Sequence, residues 1–122
     1  MFYQGLGVYE GFGGVVLAQE EGKRLADALG EKNKNLILQN HGLLTAGYTV
    51  DEAAASFIAL ERACEAQLLA ESAAANGIPK KLVGDEEALY SYKVSGYPAC
   101  MHTQFVPEFD LEVELSGGKL LE

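Results

Sequence analysis

From Asp51 to Asn76 the chain reads DEAAASFIALERACEAQLLAESAAAN, a run without glycine or proline that constrains the fold more than any other segment. It is bounded as a helix should be. Thr49-Val50-Asp51-Glu52 forms a capping box, in which the Thr hydroxyl and the Glu carboxylate satisfy backbone N–H groups left free at a helix start. Asn76-Gly77 and then Pro79 supply the stop. Val50, Ala54, Phe57, Cys64 and Leu68 recur on one face at helical spacing, which predicts a core stripe. The opposite face carries Ala55, Ala59, Ala63, Ala66 and Ala70. Those alanines either admit a closely packed helix or subunit, or simply reflect alanine's helix propensity. Glu61 falls inside the predicted stripe, where a carboxylate needs a partner; Arg24 or a neighbouring subunit is expected to provide it.

Ahead of this helix, residues 1–18 read as a glycine-rich loop leading into a short apolar strand or turn at GGVVLA. QEEGKRLADALG fits a helix, with Glu20 and Glu21 at its start, Leu25 and Leu29 one turn apart, and Gly30 as its stop. Leu36-Ile37-Leu38 reads as a buried strand, and LLTAG as a second strand ending at Gly47. Helix and strands in this order predict a layered α/β architecture. Beyond Pro79, DEEALYSYKV suggests a short helix capped by Asp85. The stretch from Ser95 onward reads as a loop and an extended tail, with Leu111, Val113 and Leu115 alternating as in a strand. No repeat or internal domain boundary is visible.

Composition narrows the function. Nine Lys and Arg against eighteen Asp and Glu give a formal charge of −9, which disfavours a nucleic-acid backbone and anionic lipid as partners. No apolar run is long enough for an integral membrane segment. Without a recognisable secretory signal, Cys64 and Cys100 are expected to be reduced thiols in a cytoplasmic setting. The early glycines do not form a nucleotide loop, because Gly5-Leu6-Gly7-Val8-Tyr9-Glu10 lacks the third glycine and no strand precedes it. The chain has two histidines, too few for a three-histidine metal site. No Ser/His/acid triad is recognisable, so no catalytic or cofactor-binding residue is assigned.

His41 is the informative position. It follows the apolar strand in Gln39-Asn40-His41-Gly42, a rigid place to present an imidazole. A strand-end histidine can be structural, or one zinc ligand among three or four. Cys100 and His102 form a C-x-H pair that matches no ligand spacing.

NLILQNHGLLTAGYTVDEAAASFIALERACEAQLLAESAAANG resembles the C-terminal part of the class II aldolase/adducin domain. The strand, the Asn-His-Gly turn, the Leu-Leu-Thr-Ala-Gly strand and the Thr-Val-Asp-Glu-Ala helix start match in order. GGVVLAQEEGKRLADALG and ERACEAQLLAES are also typical. The similarity covers about residues 9–78, and residues 79–122 form a tail like that of fungal, adducin-related members. It implies a three-layer αβα fold with a mostly antiparallel central sheet, truncated at its N-terminal side. It also implies that His41 is a metal ligand, the third zinc ligand of the metal-dependent members. The His-x-His pair and the acid/base glutamate of the family precede the matched region, so this chain is expected to be inactive alone. Complete members cleave or epimerise sugar phosphates with zinc and form homo-oligomers. The alternative the resemblance carries is an adducin-like, non-catalytic protein that self-associates and binds the actin cytoskeleton; Ala63–Gln67 leans that way.

Overall fold

The computed structural model describes residues 1–11 and 19–121. The strand expected at GGVVLA lies outside the described residues. Among the described residues the first strand is β1 (Leu6–Tyr9), followed by α1 (Gln19–Leu29), β2 (Asn35–Leu38), β3 (Gly42–Thr45) and α2 (Val50–Ala75). Helices α3 (Asp85–Ser95) and α4 (Pro98–Leu115) complete the chain, with a short 3₁₀ turn at Lys119–Leu121.

The sheet order is β1-β2-β3. β1 runs parallel to β2, with Val8 opposite Ile37, and β3 returns antiparallel, with Leu38 opposite Gly42. Within the described residues the sheet is therefore mixed, one parallel and one antiparallel pairing. The parallel pairing follows from the α1 crossover; the antiparallel one follows from a tight hairpin.

Alternation along β2 sends side chains to opposite faces. Leu36 lies beside Gly7, where an added Cβ would come within 2.7 Å of Leu36 Cδ2 and 3.3 Å of the Ala28 carbonyl on α1. Glycine at position 7 thus lets β1, β2 and α1 close up. Asn35 faces the other way, into a polar pocket with Glu52 and Ser56 of α2 and Met101 of α4. Helices α1 and α2 consequently flank opposite faces, which gives the αβα layering. The buried apolar residues are Leu36, Leu38, Ala55, Leu60 and Met101.

Helix α2 starts with the expected cap. Thr49 Oγ1 accepts from the Glu52 N–H at 3.2 Å, while Glu52 Oε2 accepts from the Tyr48 N–H at 2.8 Å, one residue earlier than in a standard box. Its core face is not the expected one. Val50, Phe57 and Leu68 are 80%, 44% and 71% exposed. The buried side is Glu52, Ala55, Ser56 and Leu60, about half a turn away. Helix α4 lies along the alanine side, where small side chains allow close approach.

The tail is helical, not looped and extended. Pro98 sits at the first turn of α4, where its missing N–H costs nothing and its fixed φ suits the helix. Pro107 is inside the helix, and Leu111, Val113 and Leu115 are helical rather than strand residues. Phe105 and Phe109 stack one turn apart, ring centroids 6.0 Å. Gly84, not Asp85, caps α3; Asp85, Glu86 and Glu87 fill its first turn and Lys93 its last, the arrangement that complements a helix dipole.

Candidate functional site

The β2–β3 hairpin places His41. Leu38 ends β2, and the His41 N–H donates to the Leu38 carbonyl at 3.0 Å, closing a turn over Gln39 and Asn40. Asn40 takes a left-handed φ of 59°, a conformation that asparagine tolerates better than most residues. The left-handed residue inside this turn is therefore Asn40; Gly42 follows with φ 149° at the start of β3. His41 itself is exposed at the tip.

Among the described residues no three His, Cys, Asp or Glu side chains gather as a metal site would require. A zinc ion needs three or four such ligands. The donor set of the described residues therefore does not fit zinc by itself. Cys100 and His102 do not converge either. Cys100 Sγ accepts from Gln104 Nε2 at 2.9 Å, while His102 Nδ1 pairs with Asp51 at the start of α2.

Glu61 is exposed rather than buried, because the face that carries it is not the core face. Arg24 pairs with Glu21 instead. Among the described residues the buried carboxylates are Glu21 and Glu52, both in the first turns of their helices. Glu21 accepts from the Tyr9 hydroxyl at 2.8 Å and from Arg24 Nε at 2.7 Å. The Tyr9 hydrogen bond, with help from Arg24, holds Glu21 below the usual carboxylate range, and the same bond raises Tyr9. Glu52 accepts from Lys34 Nζ and from the Tyr48 N–H. Burial pushes its carboxyl up, but the Lys34 and Tyr48 hydrogen bonds and the Lys34 charge outweigh that, so it too lies low. Lys34 Nζ also sits 4.4 Å from the centre of the Tyr48 ring. These two clusters tie β1 to α1, and Lys34, just before β2, to α2. The Lys34 and Glu52 partnership is separated by 18 residues, and neither side's sequence context announces it.

A cavity of about 500 Å³ opens between α2, α4 and the N-terminal segment, lined by Phe2, Ala55, Ile58, Ala59 and Phe105 with Arg62 and Glu108 among its walls. Arg62 and Glu108 bridge the two helices at 2.7 Å. No helix among the described residues is long and apolar enough to cross a membrane.

A three-layer αβα frame with a histidine at a strand-end hairpin is the class these elements define. The family model described as Class II Aldolase and Adducin N-terminal domain matches residues 1–68, and the chain belongs to that family. It is 38% identical over 120 residues to the Meiotically up-regulated gene 14 protein of Schizosaccharomyces pombe, spanning 98% of this chain and 46% of that protein. Rat alpha-adducin is 36% identical over 85 residues, 70% of this chain and 11% of its own length. Among solved structures, L-fuculose 1-phosphate aldolase from Glaciozyma antarctica superposes with a TM-score of 0.77 at 33% identity, covering 95% of this chain and 41% of the aldolase. The chain thus spans less than half the length of each of these relatives.

Proposed function

We propose that this chain is the His41-bearing half of a class II aldolase-type domain, contributing one zinc ligand to a site whose other ligands lie outside these 122 residues. The observation that supports this reading is the placement of His41 on a short, hydrogen-bonded turn between two strands, inside the region matched by the family model. A rigid hairpin tip fixes an imidazole with little freedom to lose on coordination. The substrate class is a phosphorylated sugar with a carbonyl, by analogy with the fuculose 1-phosphate aldolase. With two histidines and no His-x-His, the chain by itself has no catalytic turnover.

The test is direct. Zinc content at neutral pH and cleavage of L-fuculose 1-phosphate are measured on the purified chain and on His41→Ala. Substoichiometric zinc and no turnover are expected for both. One zinc per chain lost in His41→Ala, or measurable turnover, would overturn the incompleteness of the site.

A second reading is supported by the similarity to alpha-adducin, 36% identical over 85 residues. On that reading the chain is a non-catalytic module that self-associates, binds the actin cytoskeleton and resides in the cytoplasm. Co-sedimentation with filamentous actin separates the two: retention in the pellet supports the module, and its absence favours the half-site.

A further inference from the structure

Asn35 opens β2 with its side chain buried, 8% exposed, and the two ends of its carboxamide are treated differently. Nδ2 donates to the Gly5 carbonyl at 3.4 Å. Oδ1 is shut off from solvent and, among the described residues, accepts no hydrogen bond. Nearly every buried polar atom of a native protein has a partner, so this oxygen calls for a donor. A small cavity of about 50 Å³ adjoins it, walled by Gly5, by Lys32 and Lys34 ahead of β2, by Glu52 and Ser56 of α2 and by Tyr92 of α3. The Tyr92 hydroxyl is close to the Gly5 backbone, 3.9 Å from where a Cβ on Gly5 would stand.

The walls select the donor. A cation is disfavoured by Lys32 and Lys34 at the cavity, because the Glu52 carboxylate is already committed to Lys34 and to the Tyr48 N–H. An anion is disfavoured by Oδ1 itself and by the Gly5 carbonyl. Lys32 is exposed, and burying its ammonium against a neutral oxygen would cost more hydration than one hydrogen bond returns. A neutral donor remains, and size names it. The cavity is far below the several hundred Å³ of an organic ligand pocket, whereas a water molecule occupies about 30 Å³. Because Oδ1 has no accessible surface, a side chain from the remainder of the domain would have to displace the residues that cover it. Water needs less. The Nδ2 bond to Gly5 is long, and drawing it to the usual ~2.9 Å moves the carboxamide by about half an ångström, which gives Oδ1 room to accept. We propose that this cavity is a specific site for one buried water, which donates to Asn35 Oδ1 and meets the hydroxyls of Ser56 and Tyr92, joining β2 to α2 and α3.

The probe is water itself, on the purified chain labelled for nuclear magnetic resonance. Magnetisation transfer from water to the Asn35 side-chain NH₂ is expected, with the sign that marks a long-lived water rather than passing hydration. The Ser56 and Tyr92 hydroxyl protons exchange with water and could relay the signal, so it is measured again in Ser56→Ala and in Tyr92→Phe and should persist in each. Relaxation dispersion of the water oxygen, which no hydroxyl contributes to, counts the long-lived waters. Asn35→Leu, its fold confirmed by circular dichroism, should hold one fewer than the parent chain. No transfer to the Asn35 NH₂, its loss in either hydroxyl variant, or an unchanged count in a folded Asn35→Leu overturns the proposal. A longer polypeptide carrying the rest of the domain should show the same transfer; its disappearance there would assign the cavity to a side chain of that remainder and overturn the proposal as well.

Discussion

The Lys34–Glu52 pair is asymmetric, so removing its two members should cost different amounts. The Glu52 side chain is 3% exposed and that of Lys34 39%. In Lys34→Met the carboxylate keeps only the Tyr48 N–H and stays in a site that water barely reaches. Breaking a buried pair from that side costs ~3–5 kcal/mol; the lower end, about 3 kcal/mol, applies because water already shares the lysine. In Glu52→Gln the ammonium can turn into solvent and the amide oxygen can keep the Tyr48 bond. The loss is then one charge-assisted hydrogen bond, about 1.5–2 kcal/mol. The double variant should be no worse than Lys34→Met, a coupling of about 2 kcal/mol. Urea unfolding midpoints at pH 7 give these values. A pH arm adds the sign. Without Lys34, burial is opposed only by Tyr48, so the Glu52 carboxyl rises above its unfolded value. The penalty is then fully present at high pH and shrinks as pH falls through that raised value. Glu52→Gln costing as much as Lys34→Met at pH 7, or a Lys34→Met penalty that grows as pH falls, would refute the reasoning.

Leu60 is fully buried between α2 and its neighbours, and Leu60→Ala should lose about 2–4 kcal/mol in the same unfolding assay. Pro107 interrupts the hydrogen-bond ladder of α4, so Pro107→Ala should raise stability by about 1–3 kcal/mol, seen as a higher unfolding midpoint. Glu21, Asp51, Glu52 and Glu71 all have carboxyls held below their ordinary values. Their contribution is present above the unfolded carboxylate pKa of about 4 and is lost as pH falls through the lowered folded values; an acid titration followed by circular dichroism should show unfolding concentrated below about pH 4.

Local chemistry was legible where it was self-contained. The Thr49 cap, the Asn76-Gly77 end of α2 and the strand–turn–strand around His41 all rest on residues close in sequence. The core face of α2 was not, because the seam through Phe57 and Leu68 is the more apolar by composition. Which face is covered depends on α4, and Pro98 and Pro107 hide α4 in the sequence because proline ordinarily interrupts a helix. The absence of glycine from residues 98–115 was the sign available. The Asn40 turn shows the same limit on a smaller scale: the bend was visible in Asn-His-Gly, but the triplet does not say that asparagine as well as glycine takes a positive φ there. The partners of Glu21 and Glu52 are set by strand register and helix placement, which no local pattern encodes.

Helix α2 spans 26 residues, about 39 Å at 1.5 Å per residue, yet every buried residue in it lies at or before Leu60. Its distal turns are held by their own ladder and by surface links such as Lys80 to Glu71 and Asn76 Nδ2 to the Ser72 carbonyl. One continuous rod therefore has two grades of amide protection. Deuterium should enter the stretch after Leu60 orders of magnitude sooner than the anchored first turns, with no break in helicity between them.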